Sequence, residues 1–149
     1  MNDTNIGALL LVEDEKADQY LIKKAFDKLK IGNEIVVAEE GAEALEYLRS
    51  GKIQPILILC DINMPKMNGL ELREAIYNDQ KLRRQCIPFI FMSTNASQET
   101  VEKAFDYAVQ GYFEKAKDFN DALALIETII SYWKRCKNPN HVEFKTLAK

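Results

Sequence analysis

Cysteine is scarce and unpaired in this 149-residue sequence: Cys60, Cys86 and Cys136 form no CxxC pair. Their odd number and wide spacing leave no basis for a disulfide framework or a thiolate zinc site. Cys60 lies inside an apolar run and reads as a small buried hydrophobe. Histidine is scarcer still. The single His141 sits in a polar stretch near the end of the sequence, where a solvated imidazole is expected rather than one that carries a phosphoryl group. No GxxxxGK, GxGxxG or HExxH pattern occurs, so P-loop, dinucleotide and zinc-protease chemistry have no support. No apolar run nears the ~20 residues that span a bilayer, and no cleavable leader opens the sequence. A reduced, cytoplasmic, soluble protein with no membrane partner is the expectation.

Charge of one sign is lacking too. Twenty Lys and Arg oppose 23 Asp and Glu, a net charge of −3, which argues against nucleic acid as a partner. The balance is uneven along the chain. From Lys134 onward, five basic residues face the single acid Glu143, a short basic end to an acidic body. Repeats and low-complexity segments are absent, and 47% hydrophobic residues suffice for one core. One domain over 1–137 is expected, with 138–149 a polar basic tail too short to fold alone.

What is present is an alternation of short apolar runs with helical periodicity. Ala8 to Val12 reads as a strand buried on both faces; Ala17, Tyr20, Leu21, Ala25 and Leu29 follow at helical spacing, closed by Gly32. Glu34 to Ala38 is the second strand, and Ala42, Leu45 and Leu48 mark a short helix ending near Gly51. Ile56 to Cys60 is the third strand, and Leu72, Ala75 and Ile76 give the helix Leu70 to Tyr77 its stripe. A polar connection, 78–85, leads to the fourth strand, Ile87 to Met92, with Pro88 at its start where a missing N–H is harmless. Ser97 is a candidate N-cap for a helix with the stripe Val101, Ala104, Phe105 and Ala108. Tyr112-Phe113 is a fifth strand, and Ala122, Leu125, Ile126, Ile129, Ile130 and Trp133 mark the last and longest helix. Five β-α units in one domain predict a doubly wound α/β fold, an open parallel sheet with helices on both faces.

Polar residues cluster at the ends of these strands. Glu13-Asp14 ends the first, Asp61 the third, Ser93-Thr94 the fourth, and Lys115 closely follows the fifth. In an open parallel sheet the carboxyl edge is where ligands bind, so these side chains can converge. Singly, each reads best as a solvated loop charge or a helix-flanking hydroxyl; together they read as a site. Asp61 could serve there as metal ligand, base or nucleophile. Three crowded carboxylates repel one another, and a hard cation with oxygen ligands and open water positions, Mg²⁺, relieves this. With Lys115 it would balance the three acids and leave a site for a phosphoryl group, to which Ser93 could donate.

The Glu13-Asp14 pair, Asp61-x-Asn63-Met64-Pro65-x-Met67-x-Gly69, Ser93-Thr94 and Gly111-Tyr112-x-x-Lys115, in this order, resemble the receiver domain of two-component response regulators. The resemblance runs from about Ala8 to Trp133 and is to the stand-alone kind. The segment 78–84 and Tyr132-Trp133 look most like receivers associated with phytochrome-type sensor kinases. The resemblance implies a flavodoxin-like sheet of order 2-1-3-4-5. It also implies that Asp61 accepts a phosphoryl group from a histidine-kinase phosphohistidine. Glu13, Asp14, Asp61 and the backbone carbonyl of Asn63 would hold Mg²⁺, while Lys115 and Ser93 bind the phosphoryl group. Ser93, Thr94 and Tyr112 would form the switch, with Tyr112 at its aromatic position. The partners implied are a sensor histidine kinase or phosphotransfer protein and a downstream protein target, and a homodimer through the last helix is compatible with the pattern. Such a protein is no enzyme acting on a separate substrate, but promotes its own Mg²⁺-dependent phosphorylation and dephosphorylation.

One residue departs from the family. Receivers usually carry a proline with a cis bond after the lysine, and here Ala116 follows Lys115. A non-proline cis bond costs ~3 kcal/mol, so a trans bond or a rebuilt loop is expected, with Lys117 as an alternative cation. Thr94, where a smaller residue is common, would narrow the phosphoryl entrance and, with Asn95 and Asn63, tune attack by water. A haloacid-dehalogenase-type phosphatase would need a second Asp where Asn63 stands. A calcium loop starting at Asp61 fails at Pro65 and Lys66. The remaining alternative is a receiver-like interaction module that binds its partner without phosphorylation.

Overall fold

The computed structural model describes residues 5–137 and Phe144. Five parallel strands form the main sheet: β1 (Leu9–Val12), β2 (Ile35–Ala38), β3 (Leu57–Cys60), β4 (Phe89–Ser93) and β5 (Gly111–Glu114). Their order is β2-β1-β3-β4-β5, the expected one. Five helices alternate with them: α1 (Lys16–Lys28), α2 (Gly41–Ser50), α3 (Gly69–Asn78), α4 (Gln98–Asp106) and α5 (Phe119–Arg135). A separate parallel pair, Asn5–Ile6 with Ile53–Gln54, lies outside the sheet. No helix among the described residues is long and apolar enough to cross a membrane.

Side-chain alternation along each strand makes the fold doubly wound. Leu10 and Val12 face a core with Ala44, Leu48, Leu72, Ile76 and Ala104 from α2, α3 and α4. Leu9 and Leu11 face the other, with Ile22, Ala25 and Phe26 from α1 and Ile126, Ile129 and Ile130 from α5. Phe144 packs against this second core; the rest of the expected tail, 138–149, lies outside the described residues.

Four local expectations need correction. The buried face of α1 is Gln19, Ile22, Ala25 and Phe26, whereas Tyr20 points outward at 61% exposure. That helix is closed not by Gly32 but by Lys30 in the left-handed region, φ 56°. The segment 78–85 holds a short helix, Gln80–Arg84, because the Asp79 side chain caps it by accepting from the Leu82 N–H and Leu82 is buried. On α4 the apolar stripe shrinks to Ala104, and Phe105 is half exposed. The other boundaries fall within a residue or two of those read from the sequence, including Gly51 at φ 75° ending α2 and Ser97 capping α4.

The start of α3 seats the loop after β3. Asn68 caps it through a reciprocal box with Glu71. Gly69 donates its N–H to the Ile62 carbonyl at 2.9 Å, and a Cβ there would collide with the Asp61 carbonyl oxygen and meet Ile62 Cα at 2.9 Å. Only glycine lets the helix begin this close to the strand end. Ile62 and Met64 are buried in the core below, which leaves Asn63 and Pro65 outward.

Candidate functional site

Glu13, Asp14, Asp61, Ser93 and Lys115 all lie at the carboxyl ends of β1, β3, β4 and β5. Ladder bonds carry the chain to each position. The Glu13 N–H donates to Ala38 at 2.9 Å, Asp61 N–H to Val12 at 2.9 Å and Lys115 N–H to Ser93 at 3.1 Å. Glu13 and Ser93 are fully buried, and Asp61 nearly so.

The acids meet above the sheet edge. One carboxylate oxygen from each of Glu13, Asp14 and Asp61 lies within 4.8 Å of the other two. Lys115 reaches into this group. Its Nζ lies 2.9 Å from Glu13 Oε1, 3.2 Å from Asp61 Oδ2 and 2.7 Å from Asp18 Oδ2. The Glu13 contact is an ion pair outside hydrogen-bonding geometry, and Asp14 Oδ1 is separately buried without a hydrogen bond. Asp61 Oδ1 accepts from the Asn63 N–H at 3.3 Å.

Burial pushes the Glu13 carboxyl up to about 7 against the opposing Lys115 ammonium, and the Asp61 charge adds to the rise. Burial likewise raises Asp61, with Lys115 pulling the other way. Desolvation would lower Lys115, but Asp18, Glu13 and Asp61 outweigh it and raise its pKa. Cys60 is fully buried and its thiol is pushed well up by desolvation, an inert packing residue.

Buried carboxylate oxygens without hydrogen bonds, beside a third carboxylate, fit a hard divalent cation with oxygen ligands. The same donor set offers no nitrogen or thiolate, which disfavours zinc.

The hydroxyl side of the site is linked to the switch position. Ser93 Oγ accepts from the Asn95 N–H at 3.1 Å, and the Tyr112 hydroxyl donates to the Asn95 carbonyl. Asn95 thus joins the two. Thr94 is exposed beside them, and Tyr112 is half-buried against Phe91.

Of the expected residues, Asn63 is exposed, with its N–H rather than any described carbonyl contact turned to Asp61. Every described peptide bond is trans, that before Ala116 included. Lys117 is exposed and donates its N–H to Asp121 at the start of α5, so Lys115 is the cation among the acids. Sequence reasoning missed Asp18. The one available signal was an acid four residues after Asp14, in the first turn of the helix that follows it.

Residues 9–127 match the family described as response regulator receiver domain. The chain belongs to this family. As a receiver it is a signalling phosphoacceptor of the two-component kind. It is 33% identical over 129 residues to the probable methanogenesis regulatory protein FilR2 of Methanothrix harundinacea, covering 84% of this chain and 82% of that one. Its fold matches the phosphorylated cyanobacterial phytochrome response regulator RcpA with a TM-score of 0.80 and 30% identity, over 91% of the receiver and 99% of RcpA. The Mn²⁺-bound form of response regulator Rcp1, a protein of Synechocystis, matches with a TM-score of 0.79 and 28% identity, over 89% and 99% of the two chains.

Proposed function

We propose that this receiver takes a phosphoryl group onto Asp61 in a Mg²⁺-dependent reaction and thereby switches the binding of a protein partner. The observation that carries this is the convergence of a buried Asp61 with Glu13, Asp14 and Lys115 at one sheet edge. A phosphorylated relative and a Mn²⁺-bound one are consistent with phosphorylation and with its metal dependence.

Glu13, Asp14 and Asp61 would hold the cation, with the Asn63 carbonyl as a further ligand. Bound there, the cation supplies positive charge against the acids and the phosphoryl oxygens. The chain's own groups do the rest. An Asp61 carboxylate oxygen attacks phosphorus in line, and the bond from phosphorus to the donor's imidazole nitrogen breaks. The electron pair stays on that nitrogen, and the product is an acyl phosphate. The Lys115 ammonium, 3.2 Å from Asp61, pairs with one phosphoryl oxygen, and the Ser93 hydroxyl donates to another.

Turning Ser93 Oγ toward the phosphoryl group removes the acceptor of the Asn95 N–H. Asn95 in turn carries the carbonyl that holds the Tyr112 hydroxyl. The change at Asp61 therefore passes to Tyr112 and the α4 start through one residue, re-shaping the surface of α4, β5 and α5. The donor would be a sensor histidine kinase or phosphotransfer protein, and the target a protein, in the cytoplasm. Residues 1–137 would form the receiver and 138–149 a basic tail, with a second copy as one partner to test by sedimentation.

Incubation with Mg²⁺ and acetyl phosphate tests the proposal. One phosphoryl mass is expected on the chain, lost in Asp61→Asn and in EDTA. No adduct on the wild type would favour an interaction module that works without phosphorylation.

A further inference from the structure

Lys115 has three carboxylate partners, and they are not equivalent. Glu13 and Asp61 belong to the triad that fits a cation; Asp18 does not, since it stands apart on the first turn of α1. The Asp18 contact is nonetheless the shortest, 2.7 Å from Oδ2 to Nζ, and it is a hydrogen bond across 97 residues of sequence. The Lys115 side chain is 11% exposed and that of Asp18 26%, so the pair is largely shielded from water.

A cation held by Glu13, Asp14 and Asp61 would draw off the negative charge that attracts Lys115. Two of its three anchors weaken at the moment its position matters. Asp18 is the one anchor that the cation does not share. The backbone restraint that the family's proline provides is also missing, because Ala116 follows Lys115. An ammonium on four methylenes, without that restraint, has many rotamers to lose, and one charge-assisted hydrogen bond selects among them.

We infer that Asp18 is the positioning residue of Lys115, holding its ammonium over Asp61 while the metal site is filled and the phosphoryl group arrives. An ammonium has three N–H donors. The incoming oxygen takes the one aimed at Asp61, the longest of the three contacts, and Asp18 keeps its own. Asp18 thus supports phosphorylation and does not compete with it.

This inference rests on Asp61 phosphorylation, and the experiment separates the two. Phosphorylation by acetyl phosphate is followed by intact mass in saturating Mg²⁺ for wild type, Asp18→Ala, Asp18→Asn, Lys115→Ala and the double variant Asp18→Ala/Lys115→Ala. Metal affinity is measured by calorimetry on the same proteins. The expected result is a rate about tenfold lower in Asp18→Ala, the scale of one charge-assisted hydrogen bond. Asp18→Asn, which keeps an acceptor, should recover part of it. Magnesium affinity should stay within about twofold of wild type, and Asp18→Ala should add nothing to Lys115→Ala, the sign that Asp18 acts through Lys115. A wild-type adduct formed at the same or a lower rate than in Asp18→Ala would overturn the inference alone. So would an equal loss in the Lys115→Ala background. No adduct on wild type would overturn the phosphoacceptor reading beneath it.

Discussion

Lys115 and Arg73 are both cations drawn into the fold, and they are held by groups of different kinds. Arg73, on α3, is 8% exposed and meets backbone. Its Nε donates to the Tyr107 carbonyl at 2.7 Å and its Nη2 to the Ala108 carbonyl at 3.3 Å, oxygens left over where α4 ends. Its guanidinium lies 5.4 Å from the Phe89 ring centre. Among the described residues the Lys115 ammonium meets carboxylates, from the ends of β1 and β3 and from α1. A backbone carbonyl has nowhere to go and no proton to take, so the Arg73 contact is fixed. Carboxylates can change partner, bind metal or accept a phosphoryl group. The lesson is that burying a charge does not by itself mark function. Incomplete satisfaction does: around Lys115, Asp14 Oδ1 is buried without a hydrogen bond and Glu13 Oε1 has an ion pair but no hydrogen bond, whereas Arg73 clamps the end of α4 with good geometry.

The largest expected effect separates the two by activity. Lys115→Ala should slow phosphorylation by acetyl phosphate about 100-fold or more, as loss of a charge-stabilising donor does elsewhere, read by the time course of intact mass. Arg73→Ala should leave that rate within about twofold. It should instead cost about 1–2 kcal/mol in urea unfolding, because two partly buried carbonyls at the end of α4 lose a charged donor. If Arg73→Ala slowed phosphorylation as much as Lys115→Ala, the distinction between clamp and exchangeable cation would be lost.

The third prediction uses pH. Glu13 holds its proton more tightly folded, up to about 7, than at its ordinary value of 4.5. Between those values the native state binds more protons than the unfolded one, so metal-free stability should rise as pH falls from about 7 toward 5. Asp61 adds in the same direction. The gain should be on the order of 2 kcal/mol in EDTA, much reduced in Glu13→Gln, where Asp61 alone remains, and suppressed by saturating Mg²⁺. A stability that fell across this window would mean the acids are well satisfied without metal. The smallest effect is at the N-cap of α4: Ser97→Ala should cost about 1 kcal/mol with little change in phosphorylation rate.

The sheet and the strand-end residues were legible because buried parallel strands are continuous apolar runs, and their ends are marked by the first polar residue. Glu13, Asp61 and Ser93 are such residues. Helix faces were less legible. Placing Tyr20 on the apolar stripe of α1 rotated that face away from Gln19, a polar residue buried by its bonds to the Glu13 carbonyl at 2.8 Å and Glu39 at 3.0 Å. Asp18 sits just before Gln19, so the same misreading hid it. The Gln80–Arg84 helix escaped notice because its only apolar anchor is Leu82. The trans bond expected from Ala116 was readable, but what replaces the missing restraint was not, since Asp18 comes from the far end of the chain.

The central claim is that Asp61 becomes an acyl phosphate. Borohydride reduces such an acyl phosphate and leaves homoserine in place of the aspartate. The protein, treated with acetyl phosphate and Mg²⁺, reduced and digested, should show homoserine at position 61 in proportion to the intact-mass adduct. Homoserine at position 14 or 18, or an adduct that yields none at 61, would contradict the account.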